Sequence, residues 1–400
     1  MDAMKWASAL VLALASGCVG GSSDTGGTPD ASEAAGVVGG SSDAGGTPDA
    51  SEAAGVVCVG DFAISNSLDL EAFVEANCEQ VTGNLAIRDN AAGASISLPA
   101  LASVGGLSIS FNSFYIDFND ALTSISLPLL ASVGGDLSIH NNSALTSISL
   151  PLLASVGGEP YIDNNAALTS ISLPLLANVG GGLGIRENAT LTSISLPLLA
   201  SVGGNLDIQG NAALTSISLP LLASVGGNLF ILGNAALTSI SLPLLASVGD
   251  GGLAIYNNAA LTSISLPLLA SVGGGLGISD NAALTEFSLP LLASVGGLGI
   301  SDNAALTSIS LPLLASARAL YVRENDALTS ISLPALMSFV SDLSILDNDA
   351  LTSISLPLLA SVGGLYVREN DALCDSIVYE IVSRVDVQSE VRVDGNREVC

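Results

Sequence analysis

The sequence predicts an all-β protein: a parallel β-solenoid of leucine-rich turns with minor helical caps. Three observations predict it. A short unit recurs, two runs within it alternate with period two, and Pro and Gly punctuate those runs. The segment Leu-Thr-Ser-Ile-Ser-Leu-Pro occurs ten times unchanged, beginning at Leu122, Leu145, Leu168, Leu191, Leu214, Leu237, Leu261, Leu306, Leu328 and Leu351. Variants ending at Pro99 and Pro290 bring the count to twelve, and the marker prolines are mostly 23 residues apart, with 22 and 24 as variants. A period in the twenties marks a solenoid, in which each unit buries its apolar face only by stacking on its neighbours.

Each element of the unit follows from residue type. In Ser-Ile-Ser-Leu the apolar residues point one way and the serines the other, as on a strand. The run Leu-x-Ile does the same. Pro and Gly-Gly between them stop helices and make corners. Like strands then stack in parallel at ~4.8 Å, so about thirteen turns give a body ~60 Å long. Three residues after each Leu-x-Ile Ile or Val stands an Asn: Asn90, Asn119, Asn142, Asn165, Asn188, Asn211, Asn234, Asn258, Asn281, Asn303, Asn325, Asn348 and Asn370. Stacked at a corner, these carboxamides form a structural ladder that supplies hydrogen-bond partners to buried turn backbone.

The pattern L-x-I-x-x-N-x-x-L-x-x-I, preceded by Gly-Gly, resembles that of leucine-rich repeats. With its 22–24 spacing and flanking cysteines it resembles still more the receptor L-domain, the ligand-binding domain type of the insulin and epidermal growth factor receptors. The resemblance covers about residues 58–400. It implies a right-handed β-helix and a non-enzymatic binding role. A receptor L-domain has far fewer and less regular turns, so no hormone-type ligand is carried over.

Before the repeats, residues 1–17 read as a lipoprotein signal peptide. Lys5 precedes an apolar run from Trp6 to about Ala15, too short for a membrane span and of the size of a signal h-region. Ala15, Ser16 and Gly17 lead into Cys18, which resembles the lipobox of bacterial lipoproteins; the resemblance implies acylation of Cys18 and attachment to the membrane of a bacterial cell envelope. Val19 behind the Cys points by the same resemblance to the outer membrane or cell surface. Residues 18–57 follow as an acidic Gly/Ser tether containing a tandem 19-residue copy, with a reach of ~35 Å. Residues 58–93 and 374–400 are expected to be disulfide-closed caps on a solenoid spanning 94–373. Cys58 with Cys78 brackets a helix near Leu68–Ala76, and Cys374 with Cys400 brackets a second near Ser376–Arg384. Open solenoid ends need such caps, and the bonds need an oxidising compartment.

Charge narrows the function classes. Acidic residues outnumber Lys and Arg 37 to 9, which removes a nucleic-acid footprint. One His and no C-x-x-C leave no metal or catalytic-thiol motif and no expected cofactor. Ser110, His140 and Asp163, near one another in the outward column after the Ile, offer the residue types of a catalytic triad. They come without a nucleophile-elbow motif, and no catalytic residue is assigned. Asp280, Asp302, Glu324, Asp347 and Glu369 read as a solvated edge.

The two outward faces behave differently. Ser on either side of the first Ile hardly changes between copies. The positions flanking the Leu-x-Ile Ile change at almost every copy: Ser108, Ser138, Tyr161, Gly184, Asp207 and Phe230 before it, Ser110, His140, Asp163, Arg186, Gln209 and Leu232 after it. Phe230, Leu232 and Tyr256 are expected to form an exposed apolar cluster. Tyr321 with Arg323 and Tyr366 with Arg368 are expected two rungs apart. Exposed Tyr and Arg are common interface anchors, so these seven residues are the candidate contacts for a protein or glycan ligand. Two readings compete with recognition: a structural spacer or coat component without a ligand, and a hydroxyl-rich face for ice or mineral. The inserted stretch around Phe111–Phe118 is either a protruding loop or an extra packed corner.

Overall fold

The computed structural model describes residues 55–88, 95–105 and 114–398. The chain winds into a β-solenoid of about 14 turns. The expected signal peptide, Cys18 and nearly all of the tether lie outside the described residues, as does Cys400.

A typical turn carries three strands, exemplified by Ser193–Ser195, Ser201–Val202 and Leu206–Gln209, and in two turns the second and third merge, as Ser271–Ser279 and Ser294–Ser301. The Leu-x-Ile and Ser-Val strands pair in parallel with their counterparts one repeat on, as Ile208 with Ile231 and Val202 with Val225, and the Ser-Ile-Ser strands do so in four separate runs, as Ile217 with Ile240. The three apolar rows meet inside. In one turn Leu214, Ile217, Leu219, Leu222, Val225, Leu229 and Ile231 are all buried. Such a turn alone would expose this row above and below, so only stacking removes it from water.

Three corners close the turn. After each ladder Asn, a reverse turn returns the chain, as where the Leu214 amide donates to the Asn211 carbonyl at 3.0 Å. At the Pro-Leu corner the Leu222 amide donates to the Leu219 carbonyl at 3.3 Å. This second corner turns one leucine of each Leu-Pro-Leu-Leu outward. Leu129, Leu152, Leu175, Leu198, Leu221, Leu244, Leu268, Leu291 and Leu313 are all exposed. At the third corner successive rungs approach too closely for a side chain. A Cβ on Gly203 would stand 2.1 Å from the Gly180 carbonyl oxygen, and one on Gly226 2.1 Å from that of Gly203.

The Asn column is a continuous ladder. Asn211 is fully buried; its Oδ1 accepts from the Asn188 amide at 3.2 Å, and its Nδ2 donates to the carbonyls of Ile185 at 2.8 Å and Gln209 at 3.1 Å. The same contacts run from Asn119 to Asn370, whose amide donates to Asn396 Oδ1 at 3.1 Å. Asn396 thus adds a rung contributed by the C-terminal segment. Asn90 lies outside the described residues.

The stacking extends into both expected caps. Phe62–Ile64 pairs with Leu85–Arg88, and Val391–Asp394 pairs with Leu365–Arg368. Helix α1, Ser67–Glu75, closes the first end; the Asn66 side chain caps it by accepting from the amides of Leu68 and Asp69. Phe73 is buried against Phe62, ring centroids 5.6 Å apart, and Cys58 is bonded to Cys78. Helix α2, Asp375–Arg384, covers the other end with Val378 and Ile381, and Arg384 Nη2 donates to the Leu356 carbonyl at 2.8 Å. Cys374 is disulfide-bonded.

The insertion corrects one register. Sequence pattern assigned Ser108 and Ser110 to the rung after Ala86 and Arg88. The strand there is Phe114–Asp117, so Tyr115 follows Ala86 and Asp117 follows Arg88. Phe114 takes the core place of the repeat leucine and is fully buried. Ile109 and Ile116 both stand three residues before an Asn, but Asn119 also stands three residues before the repeat Leu122, as Asn142 does before Leu145, and Asn112 does not.

Candidate recognition face

The Leu-x-Ile strands form one continuous parallel sheet, so their outward residues stand in two columns. The column after the Ile reads Arg88, Asp117, His140, Asp163, Arg186, Gln209, Leu232, Tyr256, Ser279, Ser301, Arg323, Leu346 and Arg368. Its first five members alternate in type between bases and acids. His140 stands in register with Asp117 on one side and Asp163 on the other. Ser110, the serine of that trio of residue types, lies outside the described residues. Ser138 donates its hydroxyl to Asp117 Oδ1 at 2.8 Å, and His140 Nε2 contacts Asn141 Nδ2 at 3.1 Å. This geometry builds a polar ladder.

The ladder is partly withdrawn from water. Burial raises the Asp117 carboxyl above the ordinary carboxylate range, against the opposing pull of the Ser138 hydrogen bond, His140 and Arg88. Asp163 is raised for the same reason despite Arg186, whose amide donates to Asp163 Oδ1 at 3.1 Å. Asp207, buried in the neighbouring column, pairs with Arg186 Nε at 2.8 Å. Burial still outweighs that cation and moves its carboxyl upward. Arg88 and Arg186 also lie over Tyr115 and Tyr161, at 5.2 and 5.5 Å from the ring centroids. Phe118 meets His140 edge-on at 4.8 Å.

Phe230, Leu232 and Tyr256 do come together, but the expectation that they are exposed is corrected. Phe230 is 2% and Tyr256 6% exposed, packed with Ala254, and Leu232 is half-buried beside them. Tyr256 stretches over Gly277, where a Cβ would fall 1.8 Å from its Oη. Burial, aided by Asp280, pushes the Tyr256 phenol up to about 12.

Tyr321 with Arg323 and Tyr366 with Arg368 sit two rungs apart, with Ser344 and Leu346 between. All four are half-buried. Arg323 Nε lies 3.2 Å from Glu324, and Arg368 pairs with Asp394. Tyr366 donates to Glu390 at 3.3 Å.

A further feature escaped the sequence reading. The corner residue between the Leu-x-Ile strand and the ladder Asn holds a left-handed backbone: φ is +52° at Glu187, +56° at Asp280 and +57° at Asp302. Gly210 and Gly233, at φ +66° and +64°, occupy the same corner. Two glycines aligned with acids were the available signal. Glu324, in this column, has its carboxyl raised by a hydrogen bond with Asp302, then by burial. Among the described residues no group of three His, Cys, Asp or Glu is placed to hold a metal ion.

On the opposite strand the hydroxyl ladder belongs to threonine. Thr146 donates to the Thr123 carbonyl at 2.9 Å, and Thr192, Thr238 and Thr262 repeat the contact at 2.9–3.0 Å.

No family model matches the sequence, and no curated protein matches it. Among solved structures, a leucine-rich cell surface protein from Faecalibacterium prausnitzii A2-165 is similar, at a TM-score of 0.30 and 13% identity. The alignment covers 74% of this chain and 83% of that one.

Proposed function

We propose that this chain is a non-enzymatic, lipid-anchored protein of a bacterial cell envelope, at the outer membrane or cell surface. Its receptor L-domain-like solenoid presents the Leu-x-Ile face to a protein or glycan. One observation carries the reading: outward residues on this face change from rung to rung, while the Ser positions of the same repeats do not. Duplication and drift alone would have blurred both. The signal-like segment, Cys18 and the acidic tether support display at a membrane surface. Tyr321, Arg323, Tyr366 and Arg368 are the expected anchors, because they keep exposed area that the Phe230–Tyr256 cluster lacks.

Arrays of envelope glycans and proteins probed with the purified protein test this reading. A specific hit should be lost in a Tyr321→Ala, Tyr366→Ala variant and kept in a Ser218→Ala variant. No hit, or one indifferent to the tyrosines, contradicts it. The self-paired polar ladder around His140 favours a second reading, a ligand-free spacer or coat component. Under that reading, removing middle repeats shortens the reach and changes no binding.

A further inference from the structure

We propose that the outward leucine ridge at the Pro-Leu corner is an interface between two copies of this chain. The ridge runs over nine successive rungs, from Leu129 to Leu313, and each leucine is 40–49% exposed. Rungs ~4.8 Å apart make it a continuous apolar stripe ~40 Å long. Its leucines alone expose an area on the order of 700 Å², above the usual patch on a monomer and near the area that each partner of a stable complex contributes. The adjoining prolines add to it.

Three observations choose a second copy as the occupant. First, charge is absent where it would repel. The chain carries a net charge of −28, yet across these nine rungs the segment from the repeat Leu through Ser-Ile-Ser and Pro-Leu-Leu to the following Val or Ala holds one charged residue, Glu286. The acids lie on the Leu-x-Ile side and its corners, so this is the side on which like molecules can approach. Second, the stripe matches itself. Two identical solenoids share one rung spacing, so the two ridges can lie side by side in step along the whole contact, and a two-fold arrangement closes it. Third, core packing does not account for the residues. Leu219 and Leu222 are buried and so must stay apolar, but Leu221 between them is 41% exposed and is equally unvaried through these nine rungs. In the same repeats the outward Leu-x-Ile positions have changed.

The test is site-specific photo-crosslinking of the full chain in its cells, with benzoylphenylalanine in place of Leu221. The expected product has twice the chain mass, and its joined peptides are ridge segments of two copies. The product should be lost when Leu198→Glu and Leu244→Glu are added; these sites are exposed, and an unchanged circular-dichroism spectrum confirms the fold. Should the charged pair unfold the chain, Leu198→Ser with Leu244→Ser should cause the same loss. A probe in place of Gln209 on the opposite side should give no self-product. No adduct at position 221, an adduct to lipid alone or to a different protein, or equal self-products from both probes would overturn the proposal. It stands apart from the recognition reading, which is tested on the other face by other residues.

Discussion

The Ser-Ile-Ser side and the Leu-x-Ile side are built on the same rungs, yet they tolerate different chemistry. On the first, strands of three residues carry small hydroxyls, and the identical leucine stands on the ridge rung after rung. On the second, longer strands carry acids, bases, aromatics and glycines, several of which pair with their neighbours along the columns. The lesson is that a solenoid separates fold from surface. The inward rows, the Gly corner and the Asn ladder are fixed by close approach and buried polarity, while an outward column is free wherever no neighbour constrains it.

Substitutions at the fixed positions should therefore cost far more than those on either face. The largest effect is expected on the ladder. Asn234→Ala removes the acceptor of the Asn211 amide and the donor to the Ile208 and Leu232 carbonyls, all buried or partly buried. Chemical denaturation should show a loss of about 3 kcal/mol; a loss no larger than that of Ser218→Ala would break the distinction. Next comes the Gly corner. Gly203→Ala drives a methyl against the Gly180 carbonyl and should cost about 2 kcal/mol. Gly299→Ala, where a Cβ meets nothing within 4 Å, should change the same measurement by less than about 0.5 kcal/mol. Smaller and opposite in sign is Glu187→Gly. It relieves a left-handed backbone at φ +52° and should raise stability by about 1 kcal/mol.

The polar ladder sharpens the comparison through pH. Asp117, Asp163 and Asp207 are each raised by burial. They bind protons more tightly folded than unfolded, so their contribution is fully present below the ordinary carboxylate pKa. It is lost as pH rises through their raised values. Acidification from neutral into that window should raise the unfolding temperature, and Asp117→Asn with Asp207→Asn should flatten the rise. A profile that falls over the window, or one that the double variant leaves unchanged, would contradict the burial assigned to these groups.

Much of this architecture was legible in the sequence because period and alternation translate directly into rungs and strands. The Leu-x-Ile and Ser-Ile-Ser strands, the Asn column and both cap helices follow from residue spacing. The insertion was not legible, since Leu107–Ser110 and Phe114–Asp117 both alternate and both precede an Asn at the ladder spacing, and only the distance from Asn119 to the repeat Leu122 chooses between them. Alternation placed Phe230 and Tyr256 on the outward face correctly. It could not show that Tyr256 stretches over Gly277 in the next rung, or that Phe230 packs with it and Ala254. The Leu221 column was hidden among core leucines, since only the geometry of the Pro-Leu corner distinguishes the outward leucine from its neighbours.

The central claim is that successive repeats stack in register, one rung per repeat. Spin labels in place of Thr192 and Thr329, six repeats apart along one column, measure it directly. Pulsed dipolar spectroscopy should give a single narrow distance near 29 Å, the product of six rungs and ~4.8 Å. A broad distribution, or a distance well beyond that value, would mean that the repeats do not stack one rung per repeat.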